Sequence, residues 1–372
     1  LRSTILWEGL AKPVQVVYRH VELPVEEIAL DPAQDTLAQL HARMEPQRQR
    51  MDLRRAPLVR IQAAHDVRSG RHYLLLQLHH IISDHVSLEI VLREVLATLA
   101  GQAAQLPEPI PYRGFVAQAL ALEAQGQNKA AEEFFRSRLG DVDEPTAPFG
   151  LLDVHGDGRQ IDEARLELNP QLARRVRQAA RQLRVSAATL FHAALALLLA
   201  RASARDDVVF GSVLSGRLQN TTGADQVLGM FINTLPLRLD LQGRSVRQVV
   251  EHTHRELIEL LKYEQASLAL AQRASGVPAS TPLFSAMLNY RHSSPEGQGA
   301  GLHYANGIEI IASQERTNYP FTLNVDDLGD GFALVAQTDR RVQPGRINAY
   351  LHTALQSLVD ALEQAPDAAI LQ

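Results

Sequence analysis

The sequence of 372 residues contains no cysteine. A chain without cysteine forms no disulfide, has no thiol nucleophile and cannot ligate zinc through sulfur. No run of about 20 consecutive apolar residues is present, so no membrane-spanning helix is predicted, and no signal peptide is visible. The net charge of −5 does not indicate nucleic-acid binding. No phosphate-binding glycine motif occurs, so nucleotide binding is not predicted. These absences favour a cytoplasmic location.

The composition favours a mixed α/β protein with two parts. Hydrophobic residues make up 45% of the chain, which is enough to form the cores of two domains. Strand-like and helix-like patterns alternate in both halves, so an α/β or α+β fold is predicted. Residues 141–158 are rich in turn-forming residues and have no periodicity. They are interpreted as a linker between an N-terminal lobe, residues 1–150, and a C-terminal lobe, residues 151–372.

Two adjacent histidines follow an apolar strand-like segment. The pattern predicts a strand over 73–78, a turn that carries His79 and His80, and a helix that ends at Leu99. Further strands are predicted over 14–23, 58–65, 163–168, 207–213, 282–291, 307–313, 321–325 and 331–337. Further helices are predicted over 26–49, 129–139, 171–183, 246–263, 268–275 and 345–362, and one begins after Ser186. Corners between a strand and a helix often expose reactive groups, and histidine exchanges a proton near neutral pH.

The segment His79-His80-Ile81-Ile82-Ser83-Asp84 resembles the core His-His-x-x-x-Asp motif of condensation domains of nonribosomal peptide synthetases. These domains belong to the superfamily of acyltransferases related to chloramphenicol acetyltransferase. Other segments resemble family motifs in the same order: Leu1–Ile5, Tyr112–Val116 with Gly114 in place of an aspartate, Asp206–Ser212 with Gly216–Arg217, Leu228–Arg238, and Thr281–Phe284 with Met287–Tyr290. The resemblance extends over essentially the whole chain.

The resemblance implies two chloramphenicol-acetyltransferase-like lobes in a V, with an active-site channel between them and a latch near residues 337–345. It implies formation of an amide bond between a donor acyl or peptidyl thioester and the α-amine of an acceptor aminoacyl thioester. The expected partners are donor and acceptor peptidyl carrier proteins, each with a phosphopantetheine arm, and an adenylation domain in the same polypeptide. The chain itself is expected to bind no cofactor.

By this resemblance, His80 contacts the reacting amine, and a neutral imidazole there can accept or steer its proton. His79 precedes it on the strand and is interpreted as structural, since alternate strand residues face opposite sides. Asp84 could cap the following helix or form a buried ion pair with Arg2. His85 stands where most relatives have glycine, which raises doubt about full activity.

Three residues of the second half are candidates for contact with substrate or for structural roles: Arg217, Asn233 and Tyr290. Ser83 and Ser87 are close to the histidines, but no Gly-x-Ser-x-Gly elbow surrounds them, so an acyl-enzyme is not predicted. A metal site built from the neighbouring histidines and Asp84 is not favoured either, because adjacent strand residues point apart.

Two alternatives remain open at the level of the sequence. One is a non-catalytic relative that recruits tailoring enzymes, which His85 and Gly114 leave possible. The other is an epimerising relative. Because the chain begins within the Arg-rich motif, we also expect that the first strand and helix of the family are missing. The histidine-bearing sheet would then have an uncovered face or edge, and the 372-residue piece would be poorly soluble or inactive.

Overall fold

The computed structural model describes residues 1–45, 48–156, 158–217, 223–292, 302–304 and 307–371. Its contacts divide the chain into two compact units. The first is Leu1–Ala117 with Asn220–Phe231, and the second is Gln118–Gln219 with Ile232–Gln372. Their bounds differ from those of the lobes predicted at 1–150 and 151–372. The assignment of those lobes, and of a channel between them, stays a prediction.

The first unit contains the sheet that leads to the two histidines. Strand β4 (Val59–Asp66) pairs antiparallel with β5 (Arg71–Leu78), and β3 (Val25–Ile28) pairs parallel with β4. Gly70 takes a φ of 66° in the connecting hairpin, as its turn position requires. The strands predicted over 58–65 and 73–78 are therefore confirmed, and they form an antiparallel hairpin. Among the described residues β5 is at the edge of this sheet, and Leu74 on it is 73% exposed.

The helix predicted over residues 26–49 is wrong for its first part. Residues 25–28 form β3, which pairs with β4, and the helix α1 covers only Thr36–Arg43. The carboxylate of Asp35 accepts a hydrogen bond from the amide of Ala38 and starts α1 there. Pairing with β4 therefore outweighs the helical pattern of residues 26–35. Upstream, β1 (Ser3–Leu6) and β2 (Val14–Val17) pair antiparallel, so the strand predicted over 14–23 is shorter than expected.

Two helices complete the surroundings of the histidines. Helix α2 (His85–Leu99) begins directly after Asp84, and α3 (Tyr112–Ala124) follows it. A later stretch of the chain, residues 224–231, belongs to the first unit and is called the return segment here. Its buried side chains Ala224, Val227 and Phe231 pack with Tyr112 and Phe115 of α3. An apolar cluster thus fixes the return segment to α3.

The second unit is built on a mixed sheet, which has six strands within the described ranges. Its spatial order is β6-β13-β12-β9-β7-β8. The strands are β6 (Ile161–Glu167), β7 (Asp207–Leu214), β8 (Asn233–Asp240), β9 (Ala286–His292), β12 (Phe321–Asp327) and β13 (Phe332–Asp339). Strand β9 is parallel to β12 and β7, and the other neighbours are antiparallel. Short strands β10 (Leu302–Tyr304) and β11 (Ile308–Ile310) pair separately. The mixed α/β fold class is confirmed.

Helices pack around this sheet and form its main hydrophobic core. They are α4 (Gln127–Leu139), α5 (Pro170–Leu183), α6 (Ala187–Ser203), α7 (Val246–Leu261), α8 (Leu268–Arg273) and α9 (Pro344–Gln364). The predicted cap of α6 is confirmed, because the Ser186 hydroxyl accepts a hydrogen bond from the Thr189 amide. Helix α6 is almost wholly buried. Residues 337–345, the predicted latch, comprise the end of β13, a turn and the start of α9.

Within the described ranges no single helix is long and apolar enough to cross a membrane. Helices α5 and α6 meet the length and composition criterion only as a pair, and this pair is bent by 106°.

Candidate active site

The two histidines lie in the short turn between β5 and α2. Their position follows from the chain on both sides. The amide of His79 donates to the carbonyl of Leu58 at 3.0 Å, which continues the pairing of β4 with β5. Four residues after His80, the Asp84 carboxylate accepts the amide of Ser87 at 2.8 Å and begins α2. The end of a strand and the start of a helix therefore hold the turn from both sides.

The ring of His80 has a defined orientation. Its Nδ1 lies 2.7 Å from the carbonyl oxygen of Ser83. A carbonyl oxygen only accepts hydrogen bonds, so Nδ1 carries the proton in the neutral ring. The other nitrogen, Nε2, is then the basic atom of the imidazole. The side chain is half-buried. This geometry gives the turn a proton acceptor in a fixed tautomer.

His79 has a different arrangement. Its Nδ1 accepts a hydrogen bond from the amide of Ile81 at 3.1 Å, so this nitrogen is unprotonated. Burial, followed by the charge of the neighbouring His80, lowers the pKa of His79 below its ordinary value. The ring is therefore neutral at pH 7 and its Nδ1 stabilises the turn. This contact supports the structural interpretation of His79.

Asp84 is 3% exposed, and its carboxylate contacts two backbone amides. One oxygen accepts from Ser87 and the other from Phe231 at 3.2 Å. The predicted ion pair with Arg2 is wrong. Pairing of β2 with β1 continues in the bond from the Tyr18 amide to the Arg2 carbonyl, and the exposed Arg2 guanidinium donates to the Arg19 carbonyl instead.

The structure gives two side chains, Ser87 and Tyr112, a role that the sequence did not reveal. The Ser87 hydroxyl, which is 1% exposed, donates to the Gly229 carbonyl at 2.8 Å and accepts from the Gly229 amide at 3.0 Å. The Tyr112 hydroxyl donates to the carbonyl of Met230. The sequence had raised Ser87 only as a possible nucleophile. Its burial and its two bonds to Gly229 give it a structural role instead.

His85, at the position where the resemblance predicts glycine, is the first residue of α2. Its Nε2 lies 3.1 Å from a carboxylate oxygen of Glu89, one turn further along the same helix. The imidazole is thus directed along its own helix toward an acidic partner. An effect of His85 on activity stays a prediction.

The three candidates of the second half lie in the second unit. Asn233 begins β8, and its amide nitrogen donates to the carbonyls of Glu264 at 2.8 Å and Ala266 at 2.6 Å. These bonds fix the loop before α8, which favours the structural reading. Arg217 lies in the loop after β7, where its amide donates to the Ser215 hydroxyl at 3.4 Å. A substrate role for its side chain stays a prediction.

The contacts of Tyr290 on β9 also favour a structural role. Its hydroxyl donates to Asp327 at 2.6 Å, and the same carboxylate pairs with Arg177 at 2.5 Å. Burial, followed by the hydrogen bond to Asp327, raises the pKa of Tyr290 above its ordinary value. The phenol therefore stays protonated and joins β9 to β12.

Metal coordination was the rival chemistry at the histidine turn. Among the residues that the structure describes, no group of three or more histidine, aspartate or glutamate side chains is placed to hold a metal ion.

Comparison with known proteins identifies the family. The family model described as "Condensation domain" matches residues 1–365. The chain belongs to this family, as its motifs predicted. It is 45% identical over 364 residues to malpinin synthetase of Mortierella alpina, which covers 98% of this chain and 5% of that protein. It is 43% identical over 383 residues to malpibaldin synthetase of the same organism, covering 100% of this chain and 7% of that protein. The chain therefore spans a small part of these relatives.

Solved structures share the fold. A four-domain nonribosomal peptide synthetase matches with a TM-score of 0.81 and 16% identity, over 100% of this chain and 29% of that chain. The X-domain from teicoplanin biosynthesis matches with a TM-score of 0.80 and 19% identity, over 100% of this chain and 85% of that chain. At this identity the likeness shows the fold alone.

Proposed function

We propose that this chain is a condensation domain that joins two carrier-bound thioesters through an amide bond. The donor is an acyl or peptidyl thioester and the acceptor is an aminoacyl thioester, each on the phosphopantetheine arm of a carrier protein. The acceptor nitrogen attacks the donor carbonyl, a C–N bond forms, the C–S bond breaks, and the donor arm leaves as a thiol. The family match, and relatives that are synthetases, support this proposal.

The observation that carries the proposal is the orientation of His80. Its Nδ1 is bonded to the Ser83 carbonyl, so the neutral ring has Nε2 as its basic atom. As the amine becomes an amide it must lose a proton, and this nitrogen accepts it or directs it toward the leaving thiolate. Holding amine and thioester together supplies much of the remaining acceleration. Asp84 and His79 act on the shape of the turn.

The test is a condensation assay with one loaded donor carrier and one loaded acceptor carrier. His80→Ala is expected to lower the rate on the order of 100-fold or more, with an unchanged melting temperature. His72→Ala is the matched control, because His72 is an exposed histidine on the strand that leads into the turn. It should keep the wild-type rate.

The same assay separates the alternatives. No amide product from the wild-type chain, with retained carrier binding, would favour a non-catalytic docking domain. Exchange of the α-proton of a loaded amino acid without amide formation would favour an epimerising domain. A wild-type rate in His80→Ala would contradict the role given to His80 and leave the fold assignment intact.

A further inference from the structure

Three side chains of the first unit hold three consecutive residues of the return segment by their backbone. Asp84 accepts the amide of Phe231, Ser87 bonds both the amide and the carbonyl of Gly229, and Tyr112 donates to the carbonyl of Met230. We call this set of contacts the clamp. The side chains of Asp84 and Ser87 are almost fully buried. If one of them is removed, water cannot take its place as the hydrogen-bond partner of the backbone group.

The clamp also fits by shape. A Cβ placed on Gly229 would lie 2.2 Å from a ring carbon of Tyr112, which is far closer than two carbon atoms can approach. The ring of Tyr112 meets that of Phe231 edge-on with centroids 5.2 Å apart, and Phe115 lies 4.4 Å from Phe231. Glycine is thus required at 229 by space, because the aromatic ring of α3 lies directly on the backbone.

The clamp is connected to His80 through one peptide group. The Ser83 carbonyl that receives the His80 Nδ1 proton belongs to the peptide that joins Ser83 to Asp84. Asp84 is in turn held by its bonds to Ser87 and Phe231. Moving Asp84 rotates this peptide and moves the Ser83 carbonyl. The choice between the two neutral forms of the ring therefore depends on how firmly Asp84 is held.

We propose that Ser87 and Tyr112 are positioning residues for His80, which hold residues 229–231 and so fix the Ser83 carbonyl that selects the His80 tautomer. The inference rests on the proposed function in one respect, namely that the His80 ring takes part in condensation. The claim about the tautomer is independent of that activity. A purely structural clamp would affect stability without changing the ring.

The test compares Ser87→Ala and Tyr112→Phe, each of which removes only a hydroxyl, with Thr98→Ala. Thr98 is the matched control because its hydroxyl bonds the Glu94 carbonyl within α2, away from the return segment. The protein carries ¹⁵N-labelled histidine, and the His80 signals are assigned from their loss in His80→Gln. Nitrogen chemical shifts then report which ring nitrogen is protonated at neutral pH.

The wild type and Thr98→Ala are expected to show one neutral form, with the proton on Nδ1. Ser87→Ala, and to a smaller extent Tyr112→Phe, should show a mixture of both forms. In the condensation assay their maximal rate should fall by up to about 100-fold, with little change in the KM for the acceptor. The pH dependence of the maximal rate should also change, because both neutral forms of the His80 ring are then populated.

A pure Nδ1-protonated form in a folded Ser87→Ala protein would overturn the proposal, as would a rate loss that follows the melting temperature alone. If Ser87→Ala does not fold, Tyr112→Phe decides by the same readout, since it keeps the aromatic ring. Failure of the proposed function appears differently, as a wild-type rate in His80→Ala. The tautomer measurement remains valid in that case.

Discussion

The carboxylate of Asp84 accepts a hydrogen bond from the amide of Phe231 at 3.2 Å, across 147 residues of sequence. The same carboxylate caps α2 through the amide of Ser87. Two N–H donors and the start of a helix stabilise a negative charge that is almost fully buried. Asp84 therefore joins the histidine turn to a distant part of the chain.

Replacement of Asp84 by asparagine should lower both stability and rate. The amide group of Asn keeps one acceptor oxygen and turns an N–H₂ group toward one of the two backbone amides. We expect a loss of about 1–3 kcal/mol in the free energy of unfolding, measured by denaturant titration. Lost activity with unchanged stability would instead indicate an acid catalyst.

The control for this prediction is Arg2→Ala. Arg2 donates to the carbonyl of Arg19 and not to Asp84, so its replacement should have a small effect on stability. In a double-mutant cycle with Asp84→Asn, the coupling energy should be zero within about 0.5 kcal/mol. A large coupling energy would support the ion pair between Arg2 and Asp84 that the sequence predicted.

Local signals were readable from the sequence, whereas long-range ones were not. The hairpin of β4 and β5 and the cap of α6 follow from apolar alternation, turn residues and a serine before an apolar run. Asp84 and Ser87 each have a partner in the return segment, more than 140 residues later. No spacing rule connects such positions. The prediction of helix at residues 26–28 is wrong for the same reason, because their strand partner lies in β4.

Asn233 offers a test of the second unit. Its side-chain nitrogen supplies one donor to each of two carbonyls before α8. Asn233→Ala should reduce the free energy of unfolding by about 1–3 kcal/mol, because both acceptors lose their partner. Hydrogen exchange of amides 264–270 should accelerate. Asn233→Asp should be at least as destabilising, because a carboxylate would then face two carbonyl oxygens. If Asn233→Ala keeps its stability but binds the acceptor aminoacyl thioester more weakly, a role of Asn233 in substrate binding is favoured.

Gly114, at the position where the resemblance predicts aspartate, should be open to substitution. It lies in the first turn of α3 without a positive φ, and within the described ranges no atom outside its chain neighbours and its own helix backbone lies within 4 Å of an added Cβ. Gly114→Ala should raise the free energy of unfolding by about 0.5–1 kcal/mol, because alanine loses less backbone entropy in a helix. Thermal unfolding checks this value. Gly229→Ala is the control with the opposite expected result, a loss of stability, because the added Cβ would collide with Tyr112. Destabilisation by Gly114→Ala would show a neighbour that the structure does not contain.

The acid stability of the second unit should depend on His192. Its Nδ1 donates to the Ala188 carbonyl at 2.7 Å, and its Nε2 accepts from the Ser212 hydroxyl at 2.9 Å in the core. Burial lowers the pKa of His192 to about 4 from 6.5. Between these values the unfolded chain binds the proton and the folded chain does not. The contribution of neutral His192 is therefore complete above pH 6.5 and is lost progressively as the pH falls toward 4.

Denaturant titrations at several pH values between 7 and 4 measure this dependence. The wild type should lose stability across the window, and His192→Gln, which cannot titrate there, should lose less over the same range even if it begins lower. His72→Ala is the control for removal of a histidine outside the core, because His72 is exposed on β5. Equal slopes in the wild type and His192→Gln would contradict the prediction, because the buried imidazole would then not govern the loss of stability between pH 7 and 4.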